Sequence, residues 1–134
     1  MIVEKSETMV VRTSEDVVKV RQATRGQAVT IGFSLVDQTK IVTAASEIAR
    51  NAIDYGGGGT VTLDLVRSGN RKGLRLVFVD QGPGIPDVAR ALEDGYTTGG
   101  GRGLGLSGAK RLSNEFHIQS APGAGTTVTL IRWK

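Results

Sequence analysis

"SLVDQTKIVTAASEIARNAIDYGGGG", residues 34–59, carries a regular hydrophobic pattern that ends in four consecutive glycines. Its apolar positions recur at spacings of three and four residues, at Ile41, Ala45, Ile48, Ala52 and Tyr55. That spacing is typical of a helix with one buried face. Ser34 can cap the start of this helix, and the glycines from residue 56 end it. We therefore predict one long helix that packs against a core.

The segments around this helix predict an α+β fold. Ser14 precedes two acidic residues, which indicates an N-cap and a first helix over residues 14–30. Alternating or continuous apolar runs predict strands at residues 8–12, 60–66, 74–80, 116–121 and 126–133, and shorter helices are expected at 88–94 and 104–114. This order favours a two-layer α/β sandwich, with helices on one face of a mixed, mainly antiparallel sheet.

The composition is that of an ordinary globular domain. The 134 residues are 39% hydrophobic and 22% charged, so we expect one folded domain spanning residues 1–134. The chain has no cysteine, which excludes disulfides, thiolate metal sites and a thiol nucleophile. No apolar run approaches the roughly 18 residues of a membrane span, and the first ten residues do not resemble a secretory signal. A cytoplasmic protein with no membrane association is expected.

The net charge of +4 suits an acidic ligand such as a nucleotide. No nucleic-acid partner is expected. The basic residues are scattered along the chain, and only 4% of the residues are aromatic, so platforms for stacking bases are scarce.

Glu47 and Asn51 form the first candidate site. They are four residues apart on the predicted helix and therefore share one face, together with Arg50 and Asp54. A carboxylate beside a carboxamide can act as a base and as a metal ligand. For an isolated pair of this kind, however, an ordinary solvated helix face is the better explanation.

The second candidate is "VDQGPGIPD", residues 79–87, where Asp80 ends an apolar strand. A carboxylate at that point can accept a hydrogen bond from an amino group in a pocket. Gly82 and Gly84 lack the side chains that would block a planar ligand. The alternative is a plain turn that follows a strand.

The third candidate is "EDGYTTGGGRGLGLSG", residues 93–108. Its glycines run directly into a predicted helix, so backbone N–H groups and the positive end of the helix dipole converge there on an anion site. Neither the Rossmann fingerprint nor the P-loop motif is matched. A slack linker is the alternative, and residues 94–102 can also serve as a lid that orders over a ligand.

These three motifs, in this order, resemble the GHKL ATP-binding superfamily, which includes gyrase, MutL and histidine kinases. "SEIARNAIDYGGGG", "VDQGPGIPD", "LEDGYTTGGGRGLGLSGAKRL" and "GAGTTVT" are more closely similar to the bacterial RsbT-type switch serine/threonine kinases. The resemblance covers residue 10 to the end of the chain. It implies a Bergerat fold, in which ATP lies between a helix face and a glycine-rich lid.

The resemblance also implies residue roles. Glu47 matches the glutamate that acts as the base on the attacking hydroxyl. Asn51 matches the asparagine that holds Mg²⁺ against the phosphates. Asp80 matches the carboxylate that accepts from the adenine amino group, with Gly82 and Gly84 beside it.

Two further matches complete the implied ATP site. The second glycine box, which contacts phosphates, corresponds to Gly101, Gly103, Leu104, Gly105 and Leu106. Thr126 matches a late threonine near the adenine. Asp54 and Tyr55 depart from the residues of some relatives, at positions that vary within the family.

The function implied by the resemblance is phosphorylation of a STAS-domain antagonist protein, followed by a switch to a PP2C-type phosphatase as second target. An anti-sigma factor kinase that binds a sigma factor directly shares the same motifs, and so remains an alternative. A nucleotide-dependent interaction module without catalysis is a second alternative, which the presence of Glu47 disfavours. A histidine-kinase fragment is disfavoured too, because the single histidine, His117, follows the helix predicted at 104–114 and is badly placed to be a phosphoacceptor.

Overall fold

A computed structural model of the chain describes residues 1–85, 87–93 and 102–134. The strands are β1 (Ile2–Val11), β2 (Gly59–Ser68), β3 (Arg71–Asp80), β4 (Glu115–Ser120) and β5 (Thr126–Trp133). The helices are α1 (Ser14–Thr30), α2 (Leu35–Asp54), α3 (Val88–Ala91) and α4 (Arg102–Arg111). The predicted α+β class is confirmed.

The five strands form one sheet in the order β1-β2-β3-β5-β4. All four strand pairings in it are antiparallel, whereas the sequence led us to expect a mixed sheet. The difference arises because β5, the last strand, inserts between β3 and β4. These two strands run in the same direction, but each pairs with β5 rather than with the other.

The core lies between one face of this sheet and the helices. Helix α2 presents the predicted apolar stripe to it, and Ile41, Ala45, Ile48 and Ala52 are all buried. Facing them are large side chains of the central strands, including Leu74, Leu76, Phe78 and Leu130. The prediction of a long helix with one buried face is confirmed, with Tyr55 at its C-cap.

The starts of the two long helices follow the capping rules, with one correction. Ser34 caps α2 by accepting from the Asp37 N–H at 3.2 Å, as predicted. Helix α1 is capped by Thr13 and not by Ser14. The extended backbone of Thr13 lets its hydroxyl accept from Asp16 N–H, while the Asp16 carboxylate accepts from Thr13 N–H. A further hydrogen bond from the Arg12 N–H is the main reason why the pKa of Asp16 is lowered.

Several element boundaries differ from the sequence prediction. Strand β1 begins at Ile2 rather than at residue 8, and residues 2–8 of it are exposed. The apolar alternation that identifies a half-buried strand is therefore weak over this segment. Helix α3 is only four residues long, and α4 begins at Arg102 and ends at Arg111.

The register of the sheet brings the chemistry-bearing segments to one end of the sandwich. Asp80, the last residue of β3, pairs with Thr126, the first residue of β5, and with Gly59 at the start of β2. His117 lies on β4 opposite Thr129 and is exposed. Across the residues that the structure describes, no helix has the length and apolarity needed to cross a membrane.

Candidate functional site

A narrow pocket lies where α2, α4 and the central strands meet. Its lining comes from α2 (Ile48, Asn51, Ala52), β3 (Phe78, Asp80), α4 (Leu106) and β5 (Thr126, Val128). Four of these residues, Asn51, Asp80, Leu106 and Thr126, are predicted site residues from four different elements. The sequence motifs therefore converge on one pocket.

Asn51 is turned into this pocket, away from the solvated face of α2. Its Nδ2 atom is buried and has no hydrogen-bond partner in the described part of the chain. Glu47, Arg50 and Asp54 are exposed on the same helix. A buried amide without a partner is costly unless something else satisfies it, so Asn51 is suited to a polar ligand in the pocket.

Asp80 provides a hydrogen-bond acceptor in the same lining. The residue is 6% exposed, and its Oδ1 accepts from the Gly82 N–H at 3.0 Å. Within the described residues, Oδ2 accepts no hydrogen bond. A carboxylate oxygen held in this way can accept from an amino group of a ligand.

Gly82 and Gly84 are also required by the packing of the turn that they belong to. A Cβ at position 82 would lie 2.6 Å from Gly56 Cα. At position 84 a Cβ would collide with the Ala121 carbonyl, and the φ of +79° also favours glycine. These glycines therefore let the turn after β3 pack against neighbouring backbone, and the positions of Asp80 and Ile85 depend on that packing.

Gly56 is a site-shaping residue that the sequence analysis missed. A Cβ at position 56 would lie 2.6 Å from Oδ2 of Asp80. Gly125 is similar, because it has a φ of +74° and a Cβ there would collide with the Asp80 carbonyl. The run of four glycines after α2 and the "GAG" before Thr126 were the available signals.

Thr126 is buried, and its hydroxyl lies 2.8 Å from that of Ser120. The Ser120 hydroxyl also accepts from the Ile85 N–H at 2.7 Å and donates to the Gly125 carbonyl at 2.9 Å. Ser120 thus connects the turn after β3 to the β4–β5 hairpin. Serine at a strand end has no distinctive sequence signal, and we did not predict this contact.

The glycine box is only partly within the described residues. Gly103, Leu104 and Gly105 fall in the first turns of α4, and Leu106 is buried against the pocket. Gly101 and the predicted lid, except for its last residue Arg102, lie outside the described residues. Glu47 does not line the pocket, but it lies one helical turn before Asn51 on α2.

The side chains that commonly bind metals do not cluster in the described part of the chain, where no group of three His, Cys, Asp or Glu residues is found. Asn51 remains as a single carboxamide at the pocket. Mg²⁺ usually keeps several waters and takes few protein ligands when it binds together with phosphates. The donor set therefore fits a metal that arrives with a nucleotide, rather than one held in a protein cage.

An ion pair on the core side of the sheet fixes the far ends of α2 and α4. Arg132 donates to Asp37 Oδ1 at 2.7 Å and to the Leu112 carbonyl at 2.9 Å. The hydrogen bond from Arg132 is the largest cause of a lowered pKa of Asp37. The two helices that line the pocket are thus tied to the same strand, β5.

Comparisons with known proteins identify the family of the chain. Residues 36–134 match the model of the histidine kinase-, DNA gyrase B- and HSP90-like ATPase family. The chain is 46% identical over 123 residues to the serine/threonine-protein kinase RsbT of Bacillus subtilis, covering 92% of each chain. It is 30% identical over 99 residues to the anti-sigma F factor of Thermoanaerobacter sp., covering 69% of this chain and 68% of that one.

A solved structure supports the fold. The crystal structure of the RsbU and RsbW domains of a Mycobacterium tuberculosis protein superposes with a TM-score of 0.67 at 23% identity. That match covers 97% of this chain and 33% of the other. The predicted resemblance is confirmed: the chain belongs to the histidine kinase-, DNA gyrase B- and HSP90-like ATPase family and is a homologue of the serine/threonine kinase RsbT.

Proposed function

We propose that this chain is an ATP-dependent protein serine/threonine kinase that phosphorylates a STAS-domain antagonist protein in a bacterial partner-switching system. The identity of 46% with RsbT, over 92% of both chains, supports this assignment. The observation that carries it is the meeting of Asn51, Asp80, Leu106 and Thr126 at one pocket, with a buried amide nitrogen of Asn51 left without a partner.

In this proposal the adenine lies at the Asp80 end of the pocket. Asp80 Oδ2 accepts from its amino group, and the apolar side chains of Ile48, Phe78 and Val128 contact its faces. Asn51 lies toward the phosphates, where its Nδ2 can donate to a phosphate oxygen. The start of α4, with Gly103 and Gly105, supplies backbone N–H groups for the phosphates, as helix N-termini do in other anion sites.

Mg²⁺ is the proposed metal, held by the carboxamide oxygen of Asn51 together with phosphate oxygens and water. When bound, it supplies charge neutralisation at the phosphates. Asn51 fixes where that charge lies relative to α2. The Asp37–Arg132 ion pair anchors the start of α2, the helix that carries both Glu47 and Asn51.

Glu47 is the proposed general base. It is exposed, so a serine or threonine hydroxyl of a partner protein can approach it. The hydroxyl oxygen forms a bond to the γ-phosphorus, the bond from that phosphorus to the bridging oxygen of ADP breaks, and the hydroxyl proton moves to the Glu47 carboxylate. Phosphoryl transfer depends mainly on alignment and electrostatics, which this arrangement supplies.

Two alternatives are less well supported. The first is a kinase that binds a sigma factor directly. The chain is 30% identical to the anti-sigma F factor, which would support this alternative, but 46% identical to RsbT. A purely nucleotide-dependent interaction module would need Asn51 and Asp80 but no base, and so would leave Glu47 unexplained.

We further propose a PP2C-type phosphatase as the second target and a cytoplasmic location.

The test is transfer of ³²P from γ-labelled ATP to purified STAS-domain proteins from the same bacterium. We expect one of them to be labelled on serine or threonine by the wild-type chain, and labelling to fall by at least about 100-fold with Asn51→Ala. Thr43→Ala, on the exposed side of the same helix, is the control and should retain transfer. If ATP binds and no STAS protein is labelled, the kinase proposal is contradicted. Binding of a purified sigma factor by the chain, without labelling of any STAS-domain protein, would favour the first alternative.

A further inference from the structure

The hydroxyl of Ser120 makes three hydrogen bonds at the end of β4. Its neighbours are the Ile85 N–H at 2.7 Å, the Gly125 carbonyl at 2.9 Å and the Thr126 hydroxyl at 2.8 Å. A serine hydroxyl has one proton to donate and two lone pairs to accept with. These three contacts therefore use its full capacity.

The directions of these hydrogen bonds follow from the partners. The Ile85 N–H can only donate, and the Gly125 carbonyl can only accept, so the Ser120 proton points to Gly125. The remaining lone pair of Ser120 must then accept from Thr126. The Thr126 hydroxyl proton is committed to Ser120, and what Thr126 presents to the pocket is the lone pairs of its oxygen.

We propose that Ser120 is a positioning residue for base selection: it fixes Thr126 as a hydrogen-bond acceptor, and thereby makes the pocket select a purine with an amino group over one with a keto group. This inference rests on the proposed function, in which the pocket holds the base of ATP. Asp80 on β3, which lies opposite Thr126 on β5, also presents only acceptor oxygens. Both residues line the pocket, so two adjacent strands present acceptors to it.

The consequence for specificity is physical. An amino group can donate directly to these acceptors. A keto purine places the lone pairs of its O6 against theirs, and its one donor in this region, the ring N1–H, lies at the neighbouring ring position. A buried polar group left unpaired in this way is the basis of strong discrimination between ligands of equal size. Without Ser120, the Thr126 hydroxyl could rotate and donate to a keto oxygen.

The experiment uses calorimetry to compare binding of ATP and of inosine triphosphate, whose base has a keto oxygen and a ring N1–H in place of the amino group and unprotonated N1 of adenine. We expect the wild-type chain to prefer ATP by roughly tenfold or more. Ser120→Ala should lower that preference at least about fivefold, while Ser120→Thr, which keeps the hydroxyl, should retain it. Ser113→Ala removes a comparable hydroxyl, which donates to the Ala109 carbonyl at 2.8 Å, and should leave the preference unchanged.

Thr126→Val is a second test of the preference for ATP over inosine triphosphate, because valine keeps the shape of threonine but cannot accept a hydrogen bond. It too should lower the preference for ATP, whether or not Ser120→Ala folds. The inference is overturned if Ser120→Ala weakens both nucleotides by the same factor, or if Thr126→Val leaves the preference unchanged. A wild-type chain that binds neither nucleotide overturns the proposed function together with this inference, whereas an unchanged preference with ATP still bound overturns only the role of Ser120.

Discussion

Gly56 packs directly against the carboxylate of Asp80: a Cβ at position 56 would lie 2.6 Å from Oδ2 of Asp80 and 2.7 Å from its Cβ. The same glycine touches Gly82, where a Cβ would lie 2.6 Å from Gly56 Cα. The position of the proposed base-binding carboxylate thus depends on the backbone at Gly56 and Gly82. These two segments lie so close together that neither position has room for a Cβ.

Replacing Gly56 with alanine should therefore impair nucleotide binding. The added methyl group must displace Asp80 or separate the turn after β3 from the end of α2. We expect Gly56→Ala to weaken ATP binding by about tenfold or more, which is about 1.4 kcal/mol, measured by calorimetry.

Gly26→Ala is the matched control, since a Cβ there meets nothing within 4 Å. It lies inside helix α1, so it should raise the free energy of unfolding by roughly 0.5–1 kcal/mol and leave ATP binding unchanged. Unaltered ATP affinity in Gly56→Ala would contradict the close packing described for Asp80.

The Asp37–Arg132 ion pair predicts a pH dependence of stability. The pKa of Asp37 is lowered in the folded chain, chiefly by the hydrogen bond from Arg132. Its contribution is therefore fully present above the unfolded pKa, near 3.8, and is lost as the pH falls through the folded value. Because a third of the Asp37 side chain is exposed, we expect Asp37→Asn to cost only about 1 kcal/mol at pH 7.

Urea unfolding at pH 7, 5 and 3 measures this effect. The difference between wild type and Asp37→Asn should be similar at pH 7 and 5 and smaller at pH 3. Asp54→Asn, exposed on the same helix, should change stability by no more than about 0.5 kcal/mol. A difference for Asp37→Asn that stays constant down to pH 3 would show that the charge of Asp37 contributes nothing.

The Asp64–Arg75 pair is the strongest test of the sheet register. Asp64 on β2 is 5% exposed and lies opposite Arg75 on β3, whose Nε and Nη2 donate to Asp64 Oδ2 at 3.1 and 2.8 Å. Arg75→Met leaves the Asp64 charge buried without its partner, so we expect a loss of about 3 kcal/mol in the free energy of unfolding.

The exposed pair of Arg67 and Glu4, 3.6 Å apart, provides the comparison. Arg67→Met should cost less than about 1 kcal/mol. The double variant Asp64→Leu with Arg75→Met should recover much of the loss, because no unpaired charge remains. Equal effects of Arg75→Met and Arg67→Met in chemical denaturation would argue against a buried ion pair.

The sequence predicted the elements whose pattern reflects burial. Helix α2 was recognisable because its apolar stripe and its cap at Ser34 are local features. Strand β5 was predicted with its observed bounds because its residues are buried or half-buried along its whole length. The start of β1 was missed because its first residues are exposed and hold their place through hydrogen bonds to β2 rather than through burial.

The site was predictable in part for a related reason. Asn51, Asp80 and Thr126 stand in sequence motifs, whereas Ser120 gains its importance only from the way that two distant turns meet it. The purely antiparallel sheet could not be foreseen either, because the insertion of β5 between β3 and β4 is a property of the whole fold. Thr13 and Ser14 are adjacent and both carry a hydroxyl, so the sequence does not show which of them caps α1. The extended backbone of Thr13 decides it.

The most direct test of the kinase assignment separates ATP binding from phosphoryl transfer in Glu47→Gln. Glutamine keeps the size of the side chain but cannot take the hydroxyl proton, and Glu47 does not line the pocket. With calorimetry and ³²P transfer to the STAS-domain substrate side by side, we predict ATP affinity within about twofold of wild type and transfer reduced by at least about 100-fold. Glu7→Gln, exposed on β1, should change neither. Wild-type rates of transfer by Glu47→Gln would contradict the account.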